Sequence, residues 1–253
     1  MLLPLSNFAA VIAGLALLVV VVHLTTIYLH RAITHGTVRY APWLESTMHY
    51  TLVLFTSINP REWSAVHNYH HLFPDRPGEP GDPHSPHLEG LWQVVFFNVY
   101  YYARAAKDPR VRNHPFVKAR LATLPWRKVD EIGFAGPLGL WVLGMVVFGT
   151  VPALIAGVVY AVPYLLLNGA INGLGHARGY KNFHAAAGFN SRWLAVLTGG
   201  EGLHNNHHGR FTHAFFAYRP SEWLYETGGW TIRLLSRLKL AELVPPARAE
   251  SVA

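Results

Sequence analysis

Two short stretches carry the same arrangement of imidazoles. "HNYHH" places His67, His70 and His71 at i, i+3 and i+4, and "HNNHH" repeats this with His204, His207 and His208. On a helix, residues at these spacings leave from one face, so each triplet presents several ring nitrogens in one direction. Alone, such a triplet is equally well read as a wet surface patch; two of them in 253 residues call for a shared cause. Two smaller pieces join them: "HRAITH", with His30 and His35, and "NGLGH", with Asn172 and His176 at i and i+4. An i, i+5 pair does not share an α-helical face. The rings of His30 and His35 therefore converge only if their helix ends or bends between them, which Gly36 and Pro42 beyond permit. Nine histidines and an amide suffice for two metal ions with four or five ligands each.

The chemistry is narrowed by what the chain lacks. It contains no cysteine, which excludes disulfides, thiolate zinc sites and an iron–sulfur cluster held by this chain. Imidazole suits zinc, copper, iron and nickel, so ligand type alone does not choose the metal. A hydrolytic zinc centre wants a water-activating carboxylate beside it, and no HExxH is present. Two imidazole-bound irons at a membrane edge suit activation of dioxygen against an alkyl chain. In that reading the protein positions the substrate and excludes water. A metal transporter is the rival from another class, but the second and third candidate crossings offer few polar residues beyond Tyr160, Tyr164 and Asn168.

The elements that must position these groups are membrane helices. Hydrophobic residues make up 51% and charged residues 14%, against about 25% charged in soluble domains. The net charge of +7 is not gathered into a basic arm or stripe, so no nucleic-acid partner is expected. The spacing of apolar runs predicts crossings at about 5–29, 132–149 and 153–171, the last two forming a hairpin around Thr150–Pro152. The first run lacks the positive n-region of a cleaved signal peptide and is read as a retained helix. The stretch at about 43–58 is short and carries Glu45 and His49. It is read as interfacial or shallowly re-entrant, because a full crossing there would put "HRAITH" and "HNYHH" on opposite sides. All 21 Lys and Arg lie within 31–128 or 178–248, which places that face, and the metal centre, in the cytoplasm. The expected fold is a single all-α integral membrane domain over 1–253. It has about three transmembrane helices, one interfacial helix, and a cytoplasmic helical cap drawn from 61–130 and 176–245.

In this order the motifs resemble those of the membrane fatty acyl desaturases, particularly the stearoyl-CoA desaturase branch, from about residue 23 to 243. "EW" before the second box, "DPHSP" at 82–86, "RNHPFVK" at 112–118, "GEGLHNNHH" at 200–208 and "WTIRLLSRLKLAEL" at 230–243 carry the likeness. The resemblance implies that His30, His35, His67, His70, His71, His176, His204, His207 and His208 bind two iron ions, with Asn172 completing the shell through a water. It implies a reaction that uses O2 and two external electrons to set a cis double bond in a saturated acyl chain. The electrons would come from a separate protein of ferredoxin, rubredoxin or cytochrome type. A lipid hydroxylase or acetylenase using the same boxes is the alternative outcome.

By the same resemblance Trp63 lines the acyl tunnel, with an ordinary interfacial aromatic as the competing reading. Arg112 meets the acyl carrier, unless it is simply solvated. Glu201 orients a ligand histidine, unless it pairs with a nearby arginine. The likeness breaks at Ala65 and Val66, where an Arg–acid pair is common, and at Asn113, where a lysine is common. The Gly90–Arg112 stretch is also longer than in that branch. The carrier is therefore left open among CoA, acyl carrier protein and an intact lipid. His23 is read as a neutral residue paired with a backbone carbonyl. His84 and His87 belong to a Pro-rich loop folded over the cap and are not counted as ligands. His49, His114, His184 and His213 have no partner spacing that sets them apart.

Overall fold

The computed structural model describes residues 6–78 and 81–245. The termini of the 1–253 domain, and residue 5 where the first crossing is expected to begin, lie outside them. The first helix, α1 (Asn7–Leu24), starts where the Ser6 hydroxyl accepts from Ala9 N. It passes without a break into a π-helix, Thr25–Thr34. After strand β1 (Val38–Tyr40) come α2 (Pro42–Thr56), α3 (Pro60–Leu72), α4 (Pro86–Glu89), α5 (Leu91–Lys107), α6 (Pro109–Asn113) and α7 (Pro115–Ala122). An apolar hairpin follows, α8 (Ala135–Phe148) and α9 (Thr150–Ala177). The chain closes with α10 (Arg192–Leu197), α11 (His204–Gly209), α12 (Thr227–Arg237) and strand β2 (Ala241–Leu243). β2 pairs antiparallel with β1 in the register Val38↔Leu243.

Among the described residues two continuous helices, Asn7–Thr34 and Thr150–Ala177, are long and apolar enough to cross a membrane. The other arm of the hairpin differs from expectation. α8 has 14 residues, about 21 Å of helix, against the roughly 30 Å of hydrocarbon. The link in the hairpin is shorter than the sequence suggests, because Gly149 (φ 102°) makes the turn and Thr150–Pro152 already belong to α9. α9 also runs on past residue 171 to Ala177, which carries His176 on its last turn.

α1 and α9 pack closely where Gly14 faces Ala156; a Cβ there would stand 2.7 Å from the Ala156 carbonyl oxygen. Higher up, the Thr25 hydroxyl and the Tyr164 hydroxyl meet at 2.9 Å. α2 lies across this pair, held by Tyr160 Oη donating to the Phe55 carbonyl at 2.8 Å. His49 has a definite role here that its spacing did not show. Its Nδ1 stands 3.0 Å from Tyr28 Oη and its Nε2 2.6 Å from Asp130 Oδ1, all three groups buried. This polar chain fixes α2 against the π-helix within the core of Ile27, Tyr28, Leu29, Met48, Leu52 and Ile232.

Candidate metal centre

The π-helix settles how His30 and His35 meet. The His35 amide donates to the His30 carbonyl at 3.0 Å, five residues back, so the two side chains become neighbours on successive turns. Their ring centroids are 4.8 Å apart. The helix ends at Thr34, between the two histidines, with His35 as its C-cap, so the expected end is found, and the π register supplies the convergence.

α3 begins at Pro60, with Asn59 accepting from the amides of Arg61 and Glu62. Its triplet does not act as one unit. His67 and His71 join His30, His35 and His207 in a group of five, while His70 joins His176, His204 and His208 in a group of four. The α11 triplet divides the opposite way: its outer pair, His204 and His208, serves the group of four and its middle histidine the group of five. Each helix thus supplies both groups. Gly175 makes room for this, since a Cβ there would press on the His204 ring at 3.3 Å.

Within the group of five, Nε2 of His30 is 2.9 Å from that of His67 and 3.0 Å from that of His207. His71 Nε2 stands 2.9 Å from His67 Nε2 and 2.8 Å from His207 Nε2. In the group of four, His204 Nε2 is 2.9 Å from His176 Nε2 and 3.2 Å from His208 Nε2. A ring whose Nδ1–H is engaged elsewhere has only a lone pair at Nε2, and lone pairs converging this closely repel unless a cation lies among them. Imidazole–metal bonds of about 2.0–2.1 Å set neighbouring ligand nitrogens about 3 Å apart, which is the separation found. The donor set therefore fits a pair of transition-metal ions. Burial, reinforced by the neighbouring imidazoles, holds His67, His71, His204, His207 and His208 well below the usual 6.5, in the neutral form that ligates.

Carboxylates stand behind the rings. Glu201 Oε2 lies 2.6 Å from His30 Nδ1 and its other oxygen accepts from the Thr26 hydroxyl. This is the orienting contact rather than an arginine pair. Asp82 lies 2.9 Å from His70 Nδ1 and Asp75 2.8 Å from His176 Nδ1. Both come from the Pro-rich loop after α3, where the Asp75 amide donates to Asp82 at 2.7 Å and the Ser85 hydroxyl to Asp75 at 2.7 Å. Burial opposes ionisation of Asp82, but His70 and His84 outweigh it and hold the carboxyl well below its ordinary range. Sequence reasoning missed Asp75 and Asp82. The signal was there in an otherwise acid-poor chain: two aspartates between box two and "HSP". His84 and His87 are not bystanders in that loop. His84 shares Asp82 with His70, at 3.1 Å, and His87 Nε2 lies 3.1 Å from the His176 carbonyl.

The remaining site expectations fall in different places. Trp63 stacks on His67 at 4.6 Å and 12°. Asn172 Nδ2 donates to Asn98 Oδ1 at 2.9 Å, a partner not anticipated from the sequence. Arg112 is exposed on α6, outside both histidine groups. His23 does meet a backbone carbonyl, that of Val19 at 3.0 Å.

The division of carboxylates gives a direct expectation. Glu201→Gln keeps the shape but removes the charge behind His30, and should weaken metal binding at the group of five by about 10–100-fold. Asp82→Asn should do the same at the group of four. Metal titration of each purified variant, followed by elemental analysis, distinguishes the two.

Comparison with known proteins adds an independent finding. The family model for fatty acid desaturases matches residues 6–227. The chain is similar to an sn-1 stearoyl-lipid 9-desaturase of Anabaena variabilis, 29% identical over 93% of this chain and 85% of that protein. It is also similar to an acyl-CoA C20 Delta5-desaturase of Anemone leveillei, 28% identical over 86% of this chain and 67% of the relative. A chloroplastic palmitoyl-monogalactosyldiacylglycerol delta-7 desaturase of Arabidopsis thaliana is 27% identical over 85% of this chain and 56% of the relative.

Proposed function

Because this chain belongs to the fatty acid desaturase family, oxidoreductases acting on fatty acyl chains, we propose that its two histidine groups hold two iron ions. The observation that carries the reading is the convergence of nine imidazoles into adjacent groups of five and four. When bound, two irons would supply O2 activation: with two electrons from an external donor, O2 would leave as two waters as an acyl chain loses two hydrogens and gains a cis double bond.

The chain's own residues do the holding and aiming. His30, His35, His67, His71 and His207 form one ligand set; His70, His176, His204 and His208 form the other, with Asn172 contributing through a water while Asn98 holds its amide. Glu201, Asp82 and Asp75 accept from ring Nδ1–H groups, fixing each tautomer so that Nε2 faces inward. Trp63, stacked on His67, offers an apolar wall beside the group of five and is assigned to the acyl tunnel. Arg112, exposed on α6, is assigned to the polar end of the substrate.

α1 with its π extension, α8 and α9 form the membrane part, α2 lies at the interface, and residues 61–130 and 176–245 supply the helical cap. The Lys and Arg distribution supports a cytoplasmic metal centre. A separate ferredoxin, rubredoxin or cytochrome delivers electrons. The relatives are named for both lipid-linked and CoA-linked substrates. Ala65 and Val66, standing where an Arg–acid pair would meet CoA, speak for a carrier other than CoA, either acyl carrier protein or an intact lipid. Mass spectrometry of lipids from a host expressing the chain is the test. A product lighter by two hydrogens is expected, and one heavier by an oxygen would replace desaturation with hydroxylation.

A further inference from the structure

α5 is interrupted at Phe97, whose backbone leaves the helical region (φ −113°, ψ 24°). Glu89, just before the helix, forms an ion pair with Arg104 near its end. Fifteen residues of straight helix would separate them by about 22 Å, so the kink folds the segment back on itself. Its first arm lies against α9 backbone to backbone. A Cβ on Gly173 would stand 2.6 Å from Val95 Cγ2, and one on Gly169 only 2.0 Å from the Val95 carbonyl oxygen. From Leu91 to Val95 the arm therefore descends along α9 from the level of Gly173 to that of Gly169. After the kink, Asn98 climbs back to Asn172. The apex reaches seven residues, or about 10 Å, below His176.

The chemistry of the segment follows this geometry. No charged residue occurs between Leu91 and Ala103. Phe96 and Phe97 at the apex are 62% and 60% exposed, Trp92, Val99 and Tyr100 are exposed on the arms, and the charges of Glu89, Arg104 and Lys107 gather at the base. α9 continues the same apolar surface below with Val162, Leu165 and Leu166. An apolar tip, aromatic flanks and an ionic base, aligned with a helix long enough to span hydrocarbon, match the polarity profile of one bilayer leaflet. Backbone that turns back at membrane depth is tolerated where protein lines it, and here α9 does so.

We propose that α5 is a re-entrant wedge seated in the lipid leaflet on the metal side, with acyl chains covering Phe96 and Phe97. The uncharged arms from Leu91 to Ala103 thereby leave the aqueous cap and become a lipid contact beside Asn172. The inference rests on α9 crossing a bilayer, and the experiment separates the two. Since the chain has no cysteine, single cysteines at Phe96→Cys, Val162→Cys and Lys107→Cys can each carry an NBD label in phosphatidylcholine vesicles with or without doxyl lipid. The Phe96→Cys and Val162→Cys labels should emit to the blue, be quenched by doxyl lipid and resist iodide. The Lys107→Cys label should be quenched by iodide. Iodide quenching at Phe96→Cys with lipid quenching intact at Val162→Cys would overturn the wedge and leave the span standing. Iodide quenching at both would remove the span and the wedge together. Shielding of the Phe96→Cys label from both quenchers, with the unlabelled Phe96→Cys variant forming a disulfide between copies under copper–phenanthroline oxidation, would assign the face to a second chain instead.

Discussion

His204→Ala is expected to eliminate the unsaturated product and to remove about half of the bound metal. His204 is 1% exposed, and its Nε2 faces those of His176 and His208. It belongs only to the group of four, so the group of five keeps its full donor set. Loss of a direct ligand should exceed the roughly 10–100-fold effect of removing an orienting partner. If both ions take part in one reaction, as proposed, activity should fall to background even with one ion retained. Lipid profiling beside elemental analysis reads both quantities. His184→Ala, at an exposed position, is the control and should keep product and metal. Full metal retention in His204→Ala would remove it from the ligand set.

The second large effect is on stability. Arg31 sits between the box-one histidines, almost wholly buried. It donates to Glu226 at 2.9 Å and to the Ala214 carbonyl at 2.8 Å, with its guanidinium 3.8 Å from the Phe216 ring centroid. Glu226 in turn accepts from the amides of Phe216 and Ala217, both at 2.6 Å. The pair ties the π-helix to the loops around box three. Arg31→Met leaves a buried carboxylate without its cation, and should cost about 3–5 kcal/mol. Adding Glu226→Gln discharges that carboxylate while keeping an acceptor, so the double variant should unfold at a higher temperature than Arg31→Met alone. Lysine at position 31 should not restore the wild-type melting temperature, because one ammonium cannot reproduce the planar fork. Thermal unfolding in detergent measures all three.

Much of the centre was legible because metal ligation restricts residue type and helical spacing at once. His67, His70 and His71 announce themselves, and the absence of cysteine leaves few other donors. What the spacing could not show was the division of each triplet between two groups, since that depends on how α3 and α11 face one another. The i, i+5 interval of His30 and His35 was itself the mark of a π register; an α-helical template yields only the requirement that the helix end or bend, and it does end at Thr34. Asp75, Asp82 and Asn98 escaped notice because a loop aspartate or a helix asparagine has many ordinary uses. Only the fold brings them behind His176, His70 and beside Asn172. The apolar helices were found by composition, whereas the short α8 and the kink of α5 are set by Gly149 and by packing on Gly169 and Gly173.

The crossed allegiance of neighbouring histidines has a mechanical result. His70 and His71 are joined by one peptide unit yet face different metal positions, and so are His207 and His208. Adjacent Cα atoms are held about 3.8 Å apart by covalent geometry. The two groups are thus tied covalently at two places, where the neighbouring rings stand nearly the same distance apart, 5.8 Å for His70 and His71 and 5.7 Å for His207 and His208.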